Sequence, residues 1–543
     1  MNIIQTTRTA ARSATVFALI SAVTLVTFAQ STLSRDEKQL TKSINQKTIQ
    51  RITTELSDDK LEGRGTLQRG GDAAAAWIAE QMKKIGLKPL GDNGTYLQGF
   101  QVAEVEFSNQ TSLRVNGESL AFAKDWTTLT SQPDSVWNQK MVFVGHGVVS
   151  DEIGRNDLKD FDVKGKIAVW VEGPPKDFTA EKWGEFIGKS SPVNYLLSKG
   201  AVAVVVVGNG RETQSREFVI NQTARRKITS AGSGETPFTL PFLMLSNAGA
   251  EKLFAGTGMT AKAAMDAADS KDFRPMELPV KFEATFRSSR RVGTTNNVVG
   301  YFEGSDPVLK KEAVIFTAHY DGFGLMNGQI YNAAADNAIG NGEMLAVAEA
   351  FSKMKVKPKR SLIFLSTTAE EYGLRGGYHF ALNPTWDITK IAANLNLDGI
   401  GTEIMGPIKK MIAFGGEHSS LGPMFNDVAK AYKIKPMDDP LPEENIFMRS
   451  DHYPFVTRGV PALMLVGSPE DSAEGFAKRF MEFEKTKYHQ VSDDVYGDWY
   501  WPGAKTVADI MGILGLRIGN AGEMPSYLPT SPYGKLKRGD TLK

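Results

Sequence analysis

AVIFTAHYD (313–321) and SLIFLSTTAEE (361–371) decide how this chain folds. Each starts as an unbroken apolar run and stops abruptly at histidine or acid. A run that is apolar at every position, not at alternate ones, reads as a strand covered on both faces, as in a parallel sheet. Between the two runs, Ile339 to Met354 has the spacing of a helix. IAANLNL (391–397) and PALMLVG (461–467) read as further strands. This alternation predicts an α/β fold: a mixed, mostly parallel sheet with helices on both faces.

Polar residues fall where such a sheet places its chemistry, beyond the carboxyl ends of the strands. AVIFTA runs into His319 and Asp321, SLIFLST into Glu370 and Glu371, and IAANLNL into Asp398. His319 and Asp321 lie two apart and share a side of an extended backbone, so one can bind a metal while the other orients it. H-x-D alone fits equally a histidine that only caps a strand. Consecutive side chains diverge, so one of Glu370 and Glu371 can hold a metal while its neighbour faces a metal-bound water. In a loop they would be a solvated pair, but here they follow a buried strand. Asp336, the acid in NAAADNAIGNG (332–342), reads on its own as a helix N-cap. His489, between Tyr488 and a polar stretch that includes Asp493, reads on its own as a surface histidine. RSDHYPF (449–455) reads either as a pocket lining or as a packed polar turn. His146, His379 and His418 lack an acid at a suggestive spacing and read as structural or exposed.

Composition narrows the options. The chain has 543 residues and a net charge of +1 with no long block of one sign, which argues against nucleic acid as a partner. It has no cysteine, so disulfides, thiolate metal sites and a cysteine nucleophile are excluded. Any metal must take nitrogen and oxygen ligands. Residues 1–29 read as a signal peptide: Arg8 and Arg12 precede the uncharged, mostly apolar stretch Ala14 to Ala29, which ends in the small-x-small site Thr27-Phe28-Ala29. That stretch is shorter than the ~20 residues of a spanning helix. No membrane span is expected after signal removal, and the expected location is periplasmic or extracellular.

Residues 35–119 read as the first part of a catalytic domain, including a helix through Ala74, Ile78 and Ile85 that Gly86 ends. Residues 120–275 differ in texture. MVFVG (141–145), KIAVWV (166–171) and AVAVVVV (201–207) are short β-branched runs in Gly-, Asp- and Pro-rich surroundings, and predict a β-rich unit with few helices. Residues 276–530 resume the α/β pattern, and 531–543 form a C-terminal tail. The β-rich unit therefore interrupts one α/β domain.

Taken together, LSDDKLEGRG (56–65), NNVVGYFEG (296–304), TAHYD (317–321), AAADNAIG (333–340), RSLIFLSTTAEEYGLRGG (360–377), NLNLDGIG (394–401), RSDHYPF (449–455), GVPAL (459–463) and YHQVSD (488–493) resemble the co-catalytic di-zinc aminopeptidases, a family that includes bacterial leucyl-type aminopeptidases and glutamate carboxypeptidases. The inserted unit resembles the protease-associated domain that some members carry. The resemblance implies a zinc exopeptidase-like fold and two zinc ions per chain. It places His319 and Asp398 on one ion, Glu371 and His489 on the other, and Asp336 between them. It makes Glu370 the general acid/base and Asp321 the partner behind His319, and it implies a cis Asp336–Asn337 bond. Ala335 departs from the acid or amide that many relatives have at that position. Tyr488 and Asp451 are expected to line the substrate pocket.

Peptide hydrolysis needs a nucleophile, a polarised carbonyl and a proton for the leaving amine. Two metals ~3.5–4 Å apart can activate one bridging hydroxide between them. The expected activity is removal of N-terminal residues from peptides through that hydroxide, with Glu370 as general acid/base. The alternative is a carboxypeptidase or dipeptidase of the glutamate carboxypeptidase kind, which shares every ligand.

Overall fold

The computed structural model describes residues 32–542, apart from 109, 129–133, 190, several positions between 212 and 225, 232–240, 327 and 400. The signal peptide read over 1–29 lies outside the described residues.

The four apolar runs form the strands Ala313–His319, Ser361–Thr367, Ile391–Asn396 and Ala462–Ser468, and every residue in them is buried. They are mutually parallel at the centre of a ten-stranded sheet. Antiparallel strands flank them, Ser288–Phe302 and Leu97–Phe107 on one side and Lys410–Phe414 on the other. Alternate side chains feed two cores, as the period of a strand requires. Val314, Phe316 and Ala318 pack beneath the helices Gln46–Leu56, Arg69–Ile85, Ile339–Ser352 and Trp501–Asn520. Ala313 and Ile315 pack on the opposite face, near Arg375–Leu382 and Tyr453–Val456. The fold is thus mixed α/β with helices on both faces. The Arg69–Ile85 helix ends at Gly86, whose φ of 89° is the left-handed conformation glycine adopts without penalty.

Register decides where the chemistry lands. His319 pairs with Thr367, and Thr317 pairs with Asn396, so three strands end level with one another. The residues that follow them emerge at one edge of the sheet. Gly340 brings the next helix to that edge. A Cβ there would stand 2.2 Å from the Leu397 carbonyl oxygen, so only glycine lets the Ile339–Ser352 helix start beside the Asp398 loop.

Between Phe107 and Ser288 the chain builds a second set of sheets. Met141–Phe143, Ile167–Val171, Ala203–Val207 and Phe242–Leu245 are parallel neighbours. A four-stranded antiparallel sheet stands beside them, and a core running from Leu113 to Phe286 joins the two. Few helices are expected here, yet four are present among the described residues: Ala180–Lys189, Pro192–Ser198, Asn247–Phe254 and Ala261–Ala268. They are short, and the last two are rich in alanine, so they lack the long apolar stripe that announces a helix in sequence. The chain leaves and re-enters through Leu97–Phe107 and Ser288–Phe302, which pair antiparallel along their length. Lys227–Ser230 adds a strand to the edge of this ribbon, opposite Val102 to Val105.

Candidate metal centre

Five potential ligands converge at the level edge of the sheet. His319 Nε2 lies 3.1 Å from Asp336 Oδ1 and 3.7 Å from Asp398 Oδ1. His489 Nε2 lies 3.1 Å from Asp336 Oδ2 and 2.9 Å from Glu371 Oε2. Two groups result, His319–Asp336–Asp398 and Asp336–Glu371–His489, and in each the ligand atoms lie within 4.8 Å of one another. Asp336 belongs to both, with one oxygen turned to each. Its turn has a left-handed Ala333 and a cis Asp336–Asn337 bond. Glu370 stands alongside, its Oε2 3.9 Å from His319 Nε2.

The ligands are held from behind. His319 Nδ1 lies 3.1 Å from the backbone oxygen of Asp321 and farther, 3.8 Å, from its carboxylate. The Asp321 carboxylate instead accepts the backbone N–H of Glu370 at 3.1 Å, so it fixes the position of Glu370 as well as the end of the His319 strand. Asp493 accepts the N–H groups of Ala335 at 2.8 Å and Asp336 at 3.1 Å, which anchors the shared carboxylate's backbone. Ser450 donates to Asp398 and accepts from Asn396, whose Oδ1 accepts from Thr317. Arg64, fully buried, donates to the carbonyls of Leu56, Tyr320, Asn332 and Ala333. One guanidinium thus ties the His319 strand end to the Asp336 turn.

Electrostatics show what the centre needs. Burial opposes ionisation of Asp336, but the two imidazoles outweigh it and hold the carboxyl well below its ordinary range. Burial pulls His489 down, and Glu371 and Asp336 more than reverse this, bringing it up to about 9. Burial, then the Asp398 and Glu371 charges, push Glu370 well above the usual carboxylate range, with His319 opposing. Asp321 rises to about 7, chiefly through burial. The donor set is nitrogen and oxygen, as zinc accepts. Glu371 Oε1 and Asp398 Oδ1 are buried without a hydrogen-bond partner. Buried carboxylates in this number, facing one buried arginine, are costly to keep ionised together, and bound cations offset that cost. The residues therefore fit a metal centre.

The expected residues His319, Asp336, Glu370, Glu371, Asp398 and His489 are all brought together. Asp451 is not in the pocket. It is completely buried and accepts from Thr367 Oγ1, because its loop turns the side chain in towards the sheet. Tyr488 does line the cleft, with its ring stacked 3.7 Å from that of His489. His146 is buried against Gly173 and Asp269, and His379 stacks on Phe100. The roles of Arg64, Ser450 and Asp493 carry no periodic or spacing signal, although each sits inside a stretch that matches the resemblance.

Comparison with known proteins agrees with this geometry. Residues 297–512 match the model of peptidase family M28. The vacuolar membrane protease of Clavispora lusitaniae is 29% identical over 171 residues, 32% of this chain and 15% of that protein. That of Candida glabrata is 34% identical over 124 residues, 23% of this chain and 12% of that protein. The chain thus matches only a small part of these relatives' lengths. Their names overturn the expected periplasmic or extracellular location, since they place the relatives at a vacuolar membrane. No helix among the described residues is long and apolar enough to cross a membrane. In structure, the chain resembles an aminopeptidase from Aneurinibacillus sp. strain AM-1, with TM-score 0.60, 19% identity, and 90% of this chain and 97% of that one covered. It also resembles the zinc aminopeptidase BSAP from Bacillus subtilis, with TM-score 0.53, 16% identity, and coverage of 93% and 98%. At such identities the likeness shows a shared fold. All five ligand candidates and Glu370 lie within the matched segment, so the part of the chain that resembles peptidase family M28 contains the whole candidate centre.

Proposed function

We propose that the chain is an aminopeptidase holding two zinc ions, one at His319 and Asp398, the other at Glu371 and His489, with Asp336 shared. The observation that carries this reading is the divided aim of Asp336, Oδ1 3.1 Å from His319 and Oδ2 3.1 Å from His489. When bound, the ions polarise the substrate carbonyl and lower the pKa of a water molecule. Glu370 is beside both groups and belongs to neither, so its carboxylate takes the proton of the attacking water and returns it to the leaving nitrogen. Tyr488, kept protonated chiefly by burial, offers its hydroxyl to the carbonyl oxygen from across the cleft.

A carboxypeptidase would need a free cation for the substrate's terminal carboxylate. Arg449 is the cation lining the cleft, and its Nη1 is engaged by the Glu444 carboxylate at 3.2 Å. The remaining charged lining is acidic and favours an ammonium. We further infer that the sheets between Phe107 and Ser288 form an inserted protease-associated domain. The paired strands through which the chain leaves and returns support this reading.

Elemental analysis of the purified protein is expected to find two zinc ions per chain, and leucine p-nitroanilide is expected to turn over while its N-acetyl derivative does not. One zinc per chain overturns the shared-ligand reading. Equal turnover of the blocked substrate overturns the aminopeptidase reading.

A further inference from the structure

A cleft open to solvent lies beside Glu370 and Asp398. Ile446, Met464 and Phe480 give it an apolar wall, and Arg449 and Glu484 supply its charge away from the metal ligands. These two charges are not equivalent. Arg449 is paired with Glu444 through both its carboxylate and its backbone oxygen. Glu484 is only 8% exposed, and no hydrogen bond or ion pair of its carboxylate is found among the described residues. A carboxylate that buried, offset only by the nearby charges of Arg449 and His489, gains from an ammonium that completes it in the cleft. Arg449 is shared between Glu444 and Glu484, so two carboxylates face one guanidinium on this wall.

We propose that Glu484 receives an ammonium group of the substrate. This rests on the aminopeptidase reading and adds a recognition residue to it. Phe480 and Glu484 are one helical turn apart on Ala473–Thr486 and share a face, so the cleft offers a ring and then a carboxylate. A lysine side chain fits that sequence, with its methylenes along the apolar wall and its ammonium on Glu484. The free α-ammonium of any N-terminal residue offers the same charge. Burial chiefly, and then Glu444, raise the proton affinity of Glu484 against the opposing charges of Arg449 and His489, and a bound ammonium would act in the same direction as those two.

The test compares leucine and lysine p-nitroanilides on the zinc-loaded full chain, wild type and Glu484→Gln, with zinc content and circular dichroism as controls. If Glu484 holds a lysine ammonium, kcat/KM for the lysine substrate falls at least tenfold while that for leucine is unchanged. If it holds the α-ammonium, both fall at least tenfold, mainly through KM. Unchanged values for both substrates overturn the proposal. Should Glu484→Gln not fold, Glu484→Asp draws the same charge back by one methylene and must still raise KM for the affected substrate. Calorimetric binding of n-butylammonium to the wild type, and its loss in the variant, reads the same contact without turnover. Wild-type enzyme that cleaves neither substrate while cleaving a blocked peptide instead refutes the aminopeptidase reading.

Discussion

Replacing Glu370 by glutamine removes one ionisable oxygen and almost nothing else. The amide has the same shape, and the backbone N–H at 370 keeps its bond to Asp321 Oδ1 at 3.1 Å. The carboxylate adds negative charge to a buried centre that already contains Asp398 and Glu371, and both push its proton affinity up. Removing it relieves repulsion without removing a ligand, so both zinc ions should stay. What is lost is the group that accepts a proton from water and passes it to nitrogen. Such transfer contributes ~10²–10⁴ in rate, about 3–5 kcal/mol of barrier. Turnover of leucine p-nitroanilide should fall by that factor with KM little changed, and zinc measured by mass spectrometry should remain at the wild-type level. Turnover within tenfold of wild type at full zinc would refute the reasoning. So would joint loss of zinc and activity, which would make Glu370 a ligand.

Other perturbations separate the remaining roles. Asp336→Ala removes the oxygens that face both histidines, so zinc content should fall along with activity; two zinc ions per chain in that variant would disprove the sharing. In the metal-free protein His489 holds its proton up to about pH 9, and zinc must displace that proton. Zinc affinity measured by competition should therefore rise with pH up to at least about 9. Glu403 is buried without a partner for either oxygen, and burial, helped by the Asp398 charge, pushes it up to about 7. Its folded proton affinity exceeds that in the unfolded chain, so the stability it contributes is complete below its unfolded pKa and is lost as pH rises through 7. Glu403→Gln should flatten chemical denaturation midpoints across that window, and an unchanged slope would place the pH dependence elsewhere.

Much of the fold was legible because the central strands are buried on both faces. AVIFTA and SLIFLST carry no alternation, and the structure covers them from both sides. His319, Glu370, Glu371 and Asp398 were legible for a related reason: charge directly after such a strand has to be used. Asp336 and His489 were not, since an acid before a helix resembles a cap and a histidine in a polar stretch resembles surface. Only the family resemblance singled them out. Arg64 was invisible in role, because its partners are carbonyls far along the chain, at Tyr320, Asn332 and Ala333. Asp451 misled because side-chain direction in an irregular loop has no period to read.

In the proposed two-ion arrangement, the Asp336 carboxylate would also link the two halves of the centre thermodynamically. Each oxygen of Asp336 faces a different histidine, so an ion that fixes one oxygen also restricts the other. Loading of either half then alters the affinity of its neighbour, and by linkage the effect is equal in both directions. Zinc uptake by this protein should therefore deviate from two independent binding events, with Asp336 as the point through which one half senses the other.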